Sequence, residues 1–127
     1  MEEQLTPNFN ITEWECHDGT GVPYNLVDNV KECAHNLQIL RDKIGKPVHI
    51  ISGYRNPTYN KRIGGASRSY HMKAMAADIK VKGMTPRQVK AAIEDLIADG
   101  LMKQGGVGIY KTFVHYDVRG RRSRWVG

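Results

Sequence analysis

Apolar positions between residues 24 and 45 follow the alternating steps of three and four that are typical of an amphipathic helix. The apolar stripe consists of Leu26, Val30, Cys33, Leu37, Leu40 and Ile44. Gly45 follows at the position where a left-handed residue commonly ends a helix. Because Cys33 belongs to the stripe and His35 does not, we expect a buried, reduced Cys33 and a solvated His35.

A second helix is predicted to begin after Thr85. Thr85 and Gln88 have the spacing of a capping box, and Pro86 suits the first helical position. The apolar stripe of this helix consists of Val89, Ile93, Leu96 and Ile97. Gly100 is expected to end it.

Short segments rich in β-forming residues lie between these helices. They span residues 48–52, 76–82, 107–110 and 113–118, and a short helix is predicted from Asn56 to the residue before Gly64. Only Lys111 and Thr112 separate the last two segments, which favours a hairpin. This order predicts an α+β fold with a mainly antiparallel sheet and helices packed on one face, and residues 1–127 are expected to form a single domain.

Length and composition agree with one small, core-forming domain. A chain of 127 residues buries roughly two-thirds of its unfolded surface, and two cysteines make no disulfide framework. The opening segment lacks the basic and apolar regions of a secretory signal, and no run approaches the ~20 apolar residues of a membrane span. The net charge of +6 favours acidic partners: nucleic acid, an anionic cell-wall polymer or an acidic membrane.

Two histidines and one or two aspartates suggest a metal centre. His71 and Asp78 are separated by a short run that a turn followed by a strand would bring to one point. In the segment 113–118, alternation places His115 and Asp117 on one face, about 7 Å apart. Two imidazoles and a carboxylate would leave the fourth zinc position open for water, although spacing alone makes this a weak indication.

A series of motifs resembles the D-Ala-D-Ala carboxypeptidase family of zinc peptidases. The motifs are Ser-Gly-Tyr-Arg at 52–55, Asn60, Ile-Gly-Gly-Ala at 63–66, Ser-Tyr-His at 69–71 through Asp78, Gly-Val-Gly-Ile-Tyr at 106–110, Phe-Val-His-Tyr-Asp at 113–117 and the Arg-rich end before Trp125. They occur in the order of the family and cover nearly the whole chain. The sequence is most similar to its small carboxypeptidases and murein endopeptidases from bacteria and phage lysins.

The resemblance implies a role for each matching residue. It makes His71, Asp78 and His115 ligands of Zn²⁺. It makes Arg55 the cation that faces the substrate carbonyl or carboxylate, for which a guanidinium fork is suited; a salt bridge that holds the following loop is the alternative. Ser69 matches the Ser-x-His pattern, which places it beside the substrate and in a position to orient His71 or its loop rather than to act as a nucleophile.

Three positions depart from the family pattern. Several relatives have an acidic general base where this chain has Thr112. Asp117 is therefore a candidate catalytic carboxylate, and the equal alternative is that it accepts a hydrogen bond from a histidine ligand. Ala74 stands in place of the usual Gly, which would crowd a turn that needs a positive φ, and Tyr59 stands where many relatives have His.

The resemblance therefore implies hydrolysis of peptide bonds in peptidoglycan stem peptides or cross-links. Carboxypeptidase and endopeptidase activities both stay open, and a monomer that takes a peptidoglycan peptide, without nucleic acid or membrane as partner, is expected. One alternative is an inactive zinc-containing module that binds wall peptides or a protein. Another is a nucleic-acid-binding protein, suggested by Arg119, Arg121, Arg122 and Arg124 near the end.

A structural metal at Cys16, His17, Cys33 and His35 is disfavoured, because their spacing does not match ordinary zinc fingers. Without a signal peptide, we expect synthesis in the cytoplasm and access to the wall by a separate route. Release by a holin in a phage-infected bacterium, as for an endolysin, is one such route.

Overall fold

The computed structural model describes residues 3–127, and their helices follow the predicted pattern. The helices are α1 (Val27–Ile44), α2 (Pro57–Arg62) and α3 (Pro86–Ala98), with short 3-10 turns at Ile11–Trp14, Tyr24–Leu26 and Tyr70–Lys73. Met1 and Glu2, which belong to the single domain predicted over residues 1–127, lie outside the described residues.

The C-terminus of α1 and the N-terminus of α3 have the capping residues that the sequence predicts. Gly45 is left-handed, with φ of 66°, and its N–H donates to the carbonyl of Arg41. At α3, Thr85 Oγ1 accepts from the N–H of Gln88, and the Gln88 side chain accepts from the N–H of Thr85. Cys33 is fully buried in α1, and burial raises the pKa of its thiol. The predictions of these boundaries and of a buried Cys33 are confirmed.

Seven strands lie in residues 3–127. They are β1 (Gln4–Thr6), β2 (Phe9–Asn10), β3 (Val48–Ser52), β4 (Ala76–Val81), β5 (Gly106–Ile109), β6 (Val114–Asp117) and β7 (Ser123–Val126). The main sheet has the order β3-β4-β6-β5-β7, and each pair is antiparallel except β5 with β7. The predicted α+β class, the mainly antiparallel sheet and the hairpin between β5 and β6 are therefore confirmed.

The sheet has one apolar face and one polar face. Ile79 of β4 and Val114 and Tyr116 of β6 belong to a core that also contains Leu37 of α1 and Ile93 of α3. Because side chains alternate along a strand, the residues between them point to the opposite face. Asp78, His115 and Asp117 occupy these intervening positions. None of the helices described is long and apolar enough to cross a membrane.

Candidate metal centre

Three buried side chains converge on the polar face of the sheet. The Nε2 atom of His71 and the Nδ1 atom of His115 each lie 3.2 Å from Oδ1 of Asp78. One ligand atom from each residue can be chosen so that all three lie within 4.8 Å of one another. Within residues 3–127, no other group of three or more potential metal ligands meets in this way.

The strand register explains how two of these residues meet. Asp78 of β4 and His115 of β6 are direct partners across an antiparallel pair. Directly opposite residues on one face have Cβ atoms about 5 Å apart, so their side chains enter the same space. The sequence alternation predicts the face of the strand on which His115 lies. The pairing with Asp78 is visible only in the folded sheet.

His71 reaches the cluster from a 3-10 turn just before β4. Ser69 caps this turn, since its Oγ accepts from the N–H of His71 at 3.2 Å. Ala74 ends the turn with φ of 55°, and it is the one non-glycine residue with positive φ in the described chain. A left-handed alanine costs about 1–2 kcal/mol. The turn that presents His71 is therefore strained at the position where the family pattern has glycine.

The remaining nitrogens of the two imidazoles are held by acceptors outside the cluster. His71 Nδ1 lies 2.7 Å from the carbonyl oxygen of Gly53, and His115 Nε2 lies 2.7 Å from Oδ2 of Asp117. A carbonyl can only accept, so Nδ1 of His71 carries a proton, and the neutral ring presents its lone pair at Nε2. By the same argument, Nε2 of His115 donates to Asp117, and Nδ1 of His115 presents its lone pair to Asp78. Two nitrogen lone pairs and a carboxylate repel one another unless a cation lies among them.

The donor set also fits a particular kind of cation. Two imidazole nitrogens, a carboxylate oxygen and an open side form the shell of a catalytic zinc site, in which three protein ligands leave one position free. Metal-bound imidazoles usually donate their other N–H to a carbonyl or carboxylate, as both rings do here. The residues present therefore fit zinc.

Mutual contacts shift the ionisation of the cluster. Burial disfavours the charged form of Asp78, but its contacts with His115 and His71 outweigh burial and hold the pKa of this carboxyl below its usual range. Burial lowers the pKa of His71. Burial also opposes protonation of His115, whose pKa is nevertheless raised by the neighbouring carboxylates of Asp117 and Asp78. The cluster thus contains an ionised carboxylate at neutral pH.

Arg55 approaches the same carboxylate from the end of β3. Its Nη2 lies 3.4 Å from Oδ2 of Asp78, and its Nη1 lies 3.4 Å from Oδ1 of Asn60. Its buried Nε has no hydrogen-bond partner among the described residues. These contacts are long for hydrogen bonds. The guanidinium therefore retains donor capacity on the side of the cluster, and Asn60 also holds the next loop through the carbonyl of Ala66.

Asp117 lies behind His115 rather than beside the open side of the cluster. Its carboxylate is fully buried and accepts from His115, from the backbone N–H of Gly106 and from Arg119. Burial opposes ionisation, but these donors hold the pKa of Asp117 below its usual range. The imidazole ring separates Asp117 from Nδ1 of His115, the nitrogen that faces Asp78. The expectation that Asp117 is a general base therefore finds no support in this geometry, whereas a role in holding His115 does.

Two glycines of β5 make room for this arrangement. A Cβ at Gly106 would overlap the carboxylate of Asp117, and a Cβ at Gly108 would overlap the indole ring of Trp125. Trp125 crosses Gly108 with its ring centroid 4.9 Å from that of His115. The Gly-Val-Gly motif therefore lets Asp117 and Trp125 pack around His115.

The cluster lies at the base of a cleft of about 630 Å³. Its walls carry the aromatic rings of Tyr70, Tyr110, Phe113 and Trp125 and the cations of Arg55, Arg68 and Arg119. Among the described residues that line the cleft, Asp78 is the only carboxylate. The cleft is thus predominantly basic and aromatic, and its volume is in the range of ordinary ligand sites.

Other candidate residues lie elsewhere. Thr112 lines a separate groove of about 290 Å³, so its side chain does not enter the cleft. Cys16 is buried and unpaired, and His17 contacts the carbonyl of Ile51 through Nε2 at 2.8 Å. His35 is exposed on α1. The alternative structural metal at Cys16, His17, Cys33 and His35 receives no support from the part of the chain that the structure describes.

Comparison with known families identifies the class of protein. Residues 4–117 match the family model described as Peptidase M15. This chain belongs to the peptidase M15 family. The family resemblance inferred from the motifs is confirmed, since the matched family is a peptidase family and one relative of this chain is named as a zinc D-Ala-D-Ala carboxypeptidase.

Three relatives show how much of the chain is shared. A peptidoglycan L,D-endopeptidase MepK of Escherichia coli is 38% identical over 88 residues, which cover 63% of this chain and 44% of the relative. A probable peptidoglycan L,D-endopeptidase MepK of Haemophilus influenzae is 30% identical over 115 residues, 85% of this chain and 58% of the relative. The zinc D-Ala-D-Ala carboxypeptidase of Streptomyces albus G is 46% identical over 44 residues, 34% of this chain and 17% of the relative. The chain spans about half the length of the MepK relatives.

Sequence reasoning missed several residues that build the site. The contact between the Gly53 carbonyl and His71 involves no side chain of Gly53 that a motif could show, and the motif position of Asn60 does not indicate its contacts with Arg55 and Ala66. The composition of the C-terminal segment indicates only that Arg119 belongs to a basic tail. Its position two residues after Asp117 was a usable signal, since alternation places both on one face of an extended segment.

Proposed function

We propose that this chain is a zinc-dependent peptidase that hydrolyses peptide bonds in peptidoglycan stem peptides or their cross-links. The observation that carries the proposal is the convergence of His71, Asp78 and His115 at the base of an open cleft. Membership of the peptidase M15 family and the names of the relatives support the same activity.

In this proposal, His71 Nε2, His115 Nδ1 and the carboxylate of Asp78 hold the zinc ion. Zinc bound there supplies Lewis-acid polarisation of a carbonyl and lowers the pKa of a bound water. Gly53 and Asp117 fix the two imidazole rings through their outer nitrogens. Ser69 holds the turn that carries His71, beside the substrate.

Arg55 binds the oxygen of the substrate carbonyl, or a neighbouring carboxylate. Its guanidinium lines the cleft beside the cluster, and its contacts with Asp78 and Asn60 are both long, at 3.4 Å. A fixed cation near a developing oxyanion stabilises the transition state more than the ground state. We assign no proton transfer to Asp117, since His115 lies between its carboxylate and the cleft.

Endopeptidase activity is our first choice over carboxypeptidase activity. The relatives named as L,D-endopeptidases match 63% and 85% of this chain, whereas the relative named as a carboxypeptidase matches 34%. Action on the cell wall, after release by a holin or a comparable route, is part of the same proposal and needs a separate test of localisation.

Mass spectrometry of digested peptidoglycan tests the activity. Purified sacculi are incubated with the zinc-loaded protein, with His71→Ala and with His35→Ala, a matched change at an exposed histidine of α1. We expect cleaved cross-links or stem peptides with the native chain and His35→Ala, and none with His71→Ala. Released D-Ala alone would indicate a carboxypeptidase. Unchanged sacculi with all three proteins would contradict the peptidase proposal.

The same digestion addresses the alternatives. An inactive zinc-containing binding module would bind the sacculi and leave them intact. The nucleic-acid alternative depends on the basic tail, but Arg119 is paired with Asp117 and Arg124 with Glu94. Only Arg121 and Arg122 of the four tail arginines are exposed. Two of the four tail arginines are therefore used within the fold, which weakens the nucleic-acid alternative.

A further inference from the structure

Arg119 lies two residues after the end of β6 and connects to the metal cluster through the carboxylate of Asp117. Its Nε donates to Oδ1 of Asp117 at 2.8 Å, and its Nη2 donates to Oδ2 at 2.7 Å. The same Oδ2 accepts from Nε2 of His115 at 2.7 Å. A continuous chain of short polar contacts therefore runs from the guanidinium to an imidazole of the cluster.

The same guanidinium lies over two aromatic rings of the cleft wall. Its Cζ atom lies 4.2 Å from the ring centroid of Tyr70 and 5.4 Å from the ring of Trp125. Tyr70 begins the 3-10 turn that contains His71, and the Trp125 ring packs against His115. Arg119 therefore contacts both segments that carry the imidazole ligands, and cation–π attraction favours these contacts.

The surroundings of Asp117 make this arginine difficult to replace. Asp117 is completely buried, and a buried carboxylate requires a charged partner or several donors. The Arg119 side chain supplies a full charge and two parallel hydrogen bonds, whereas the other side-chain donor is His115 itself. A guanidinium fork matches a carboxylate in two-point contact, and a lysine ammonium does not.

We propose that Arg119 is a positioning residue of the metal centre. It fixes Asp117 against His115 and holds Tyr70 beside the turn of His71, so that it sets the relative placement of the two imidazole ligands. The inference rests on the metal site of the proposed function. Arg119, a residue of the basic tail, would thus act within the fold and not on an external partner.

Zinc affinity, measured by competition with a chelator, tests the inference without a substrate. Arg119→Gln is expected to bind zinc about 10–100-fold more weakly, as is usual when a partner behind a metal ligand is lost. Arg124→Gln is a matched control, because Arg124 makes an equivalent two-point ion pair with Glu94 at 2.8 and 2.7 Å. The side chains of Arg119 and Arg124 are 13% and 12% exposed. We expect Arg124→Gln to stay within about twofold of the native zinc affinity, since its ion pair lies outside the cluster.

A double-mutant cycle tests whether Arg119 acts through Asp117. Asp117→Asn should weaken zinc binding. The addition of Arg119→Gln should weaken it by no more than about twofold further, because Asp117→Asn already removes the carboxylate through which Arg119 contacts His115. The absorption spectrum of the Co²⁺-substituted proteins provides a second measure of ligand geometry. Arg119→Gln should alter this spectrum, Arg119→Lys should alter it less, and Arg124→Gln should leave it unchanged.

Three results would overturn the inference. They are native zinc affinity in Arg119→Gln, an equal loss of affinity in Arg119→Gln and Arg124→Gln, and fully additive losses in the double mutant. If Arg119→Gln does not fold, Arg119→Lys decides, and native zinc affinity and a native Co²⁺ spectrum in that variant count against the inference. Failure of the native chain to bind zinc would instead contradict the proposed function.

Discussion

Asp78 and Ile79 are neighbours in β4, yet their side chains lie in different chemical environments. Ile79 is fully buried in the core that α1 and α3 cover. Asp78 is also buried, with 4% of its surface exposed, but it faces two imidazoles and a guanidinium. His115 and Tyr116 repeat the same contrast in β6.

The difference between these faces shows how one sheet serves both folding and chemistry. On the helix-covered face, apolar burial stabilises the fold and no specific partner is needed. On the other face, each buried polar group requires a partner, because an unpaired buried charge is costly. Asp78 and the two imidazoles satisfy one another only in part, and a cation completes the set.

The largest expected effect comes from the polar face. Asp78→Asn keeps the shape of the side chain and removes its charge, so that the proposed zinc site loses its anionic ligand. We expect peptide hydrolysis to fall by about 10³-fold, because metal catalysis contributes several kcal/mol and each 1.4 kcal/mol is a factor of ten. The measurement is the rate of peptide release from sacculi at saturating zinc.

The stability of the metal-free protein provides the control for Asp78→Asn. Its Tm should stay within about 5 °C of the native value, since the amide retains the packing of the carboxylate. Native hydrolysis by Asp78→Asn would contradict a catalytic role for the polar face. Global unfolding of this variant would show that Asp78 serves mainly the stability of the fold.

Ile79→Ala tests the apolar face. Truncation of a buried isoleucine costs about 2–5 kcal/mol, because apolar contacts are lost and a cavity remains. We expect the free energy of unfolding to fall by this amount in a denaturant titration, while the zinc affinity of the folded protein changes by less than about threefold. Lys80→Ala, at the exposed next residue, should cost less than about 0.5 kcal/mol. A loss of zinc affinity in Ile79→Ala comparable to that in Asp78→Asn would contradict the assignment of stability to the apolar face and of metal binding to the polar face.

The smallest expected effect lies outside both faces, at the ion pair between Glu94 of α3 and Arg124 of β7. Hydrogen bonds from Arg124 lower the pKa of Glu94 from 4.5 to about 2. A carboxyl whose pKa is lowered on folding contributes stability above its unfolded pKa, and the contribution is lost as the pH falls towards 2. Glu94→Gln should therefore lower stability by at most about 1 kcal/mol at pH 7, and the difference should disappear between pH 4.5 and 2.

The pH dependence of thermal unfolding checks this prediction. Asp95→Asn is the control, because Asp95 is exposed in the same helix and makes no salt bridge within the described residues. A stability difference for Glu94→Gln that stays constant from pH 7 to 2 would show that the ion pair does not cause it.

The elements that the sequence predicts are those with local signals. Thr85 and Gln88 cap α3 through side chains three residues apart, and the alternation of β6 places His115 and Asp117 on one face. The N-terminal hairpin was not predicted, because β1 and β2 have only three and two residues, too few to show an alternation of apolar and polar positions. Strand β7 was not predicted either. Moreover, β7 pairs in parallel with β5 across Gly108, a contact that no local pattern encodes.

The candidate site is predictable to the same extent. The family motifs identify His71, Asp78, His115 and Arg55, and the structure brings these side chains together. The orientation of each imidazole depends on partners from distant segments, such as the Gly53 carbonyl. The place of Asp117 behind His115 depends on which ring nitrogen faces the cluster. That choice is made by tertiary contacts, so the sequence left both roles for Asp117 open.

Titration of zinc into the metal-free protein, with release of peptides from sacculi as the readout, tests the central claim most directly. The account predicts no hydrolysis without metal, a linear rise up to one zinc per chain and a plateau beyond it, with His71→Ala inactive throughout. Full hydrolysis by the metal-free chain would contradict the account. An absence of hydrolysis at every zinc concentration would contradict it equally.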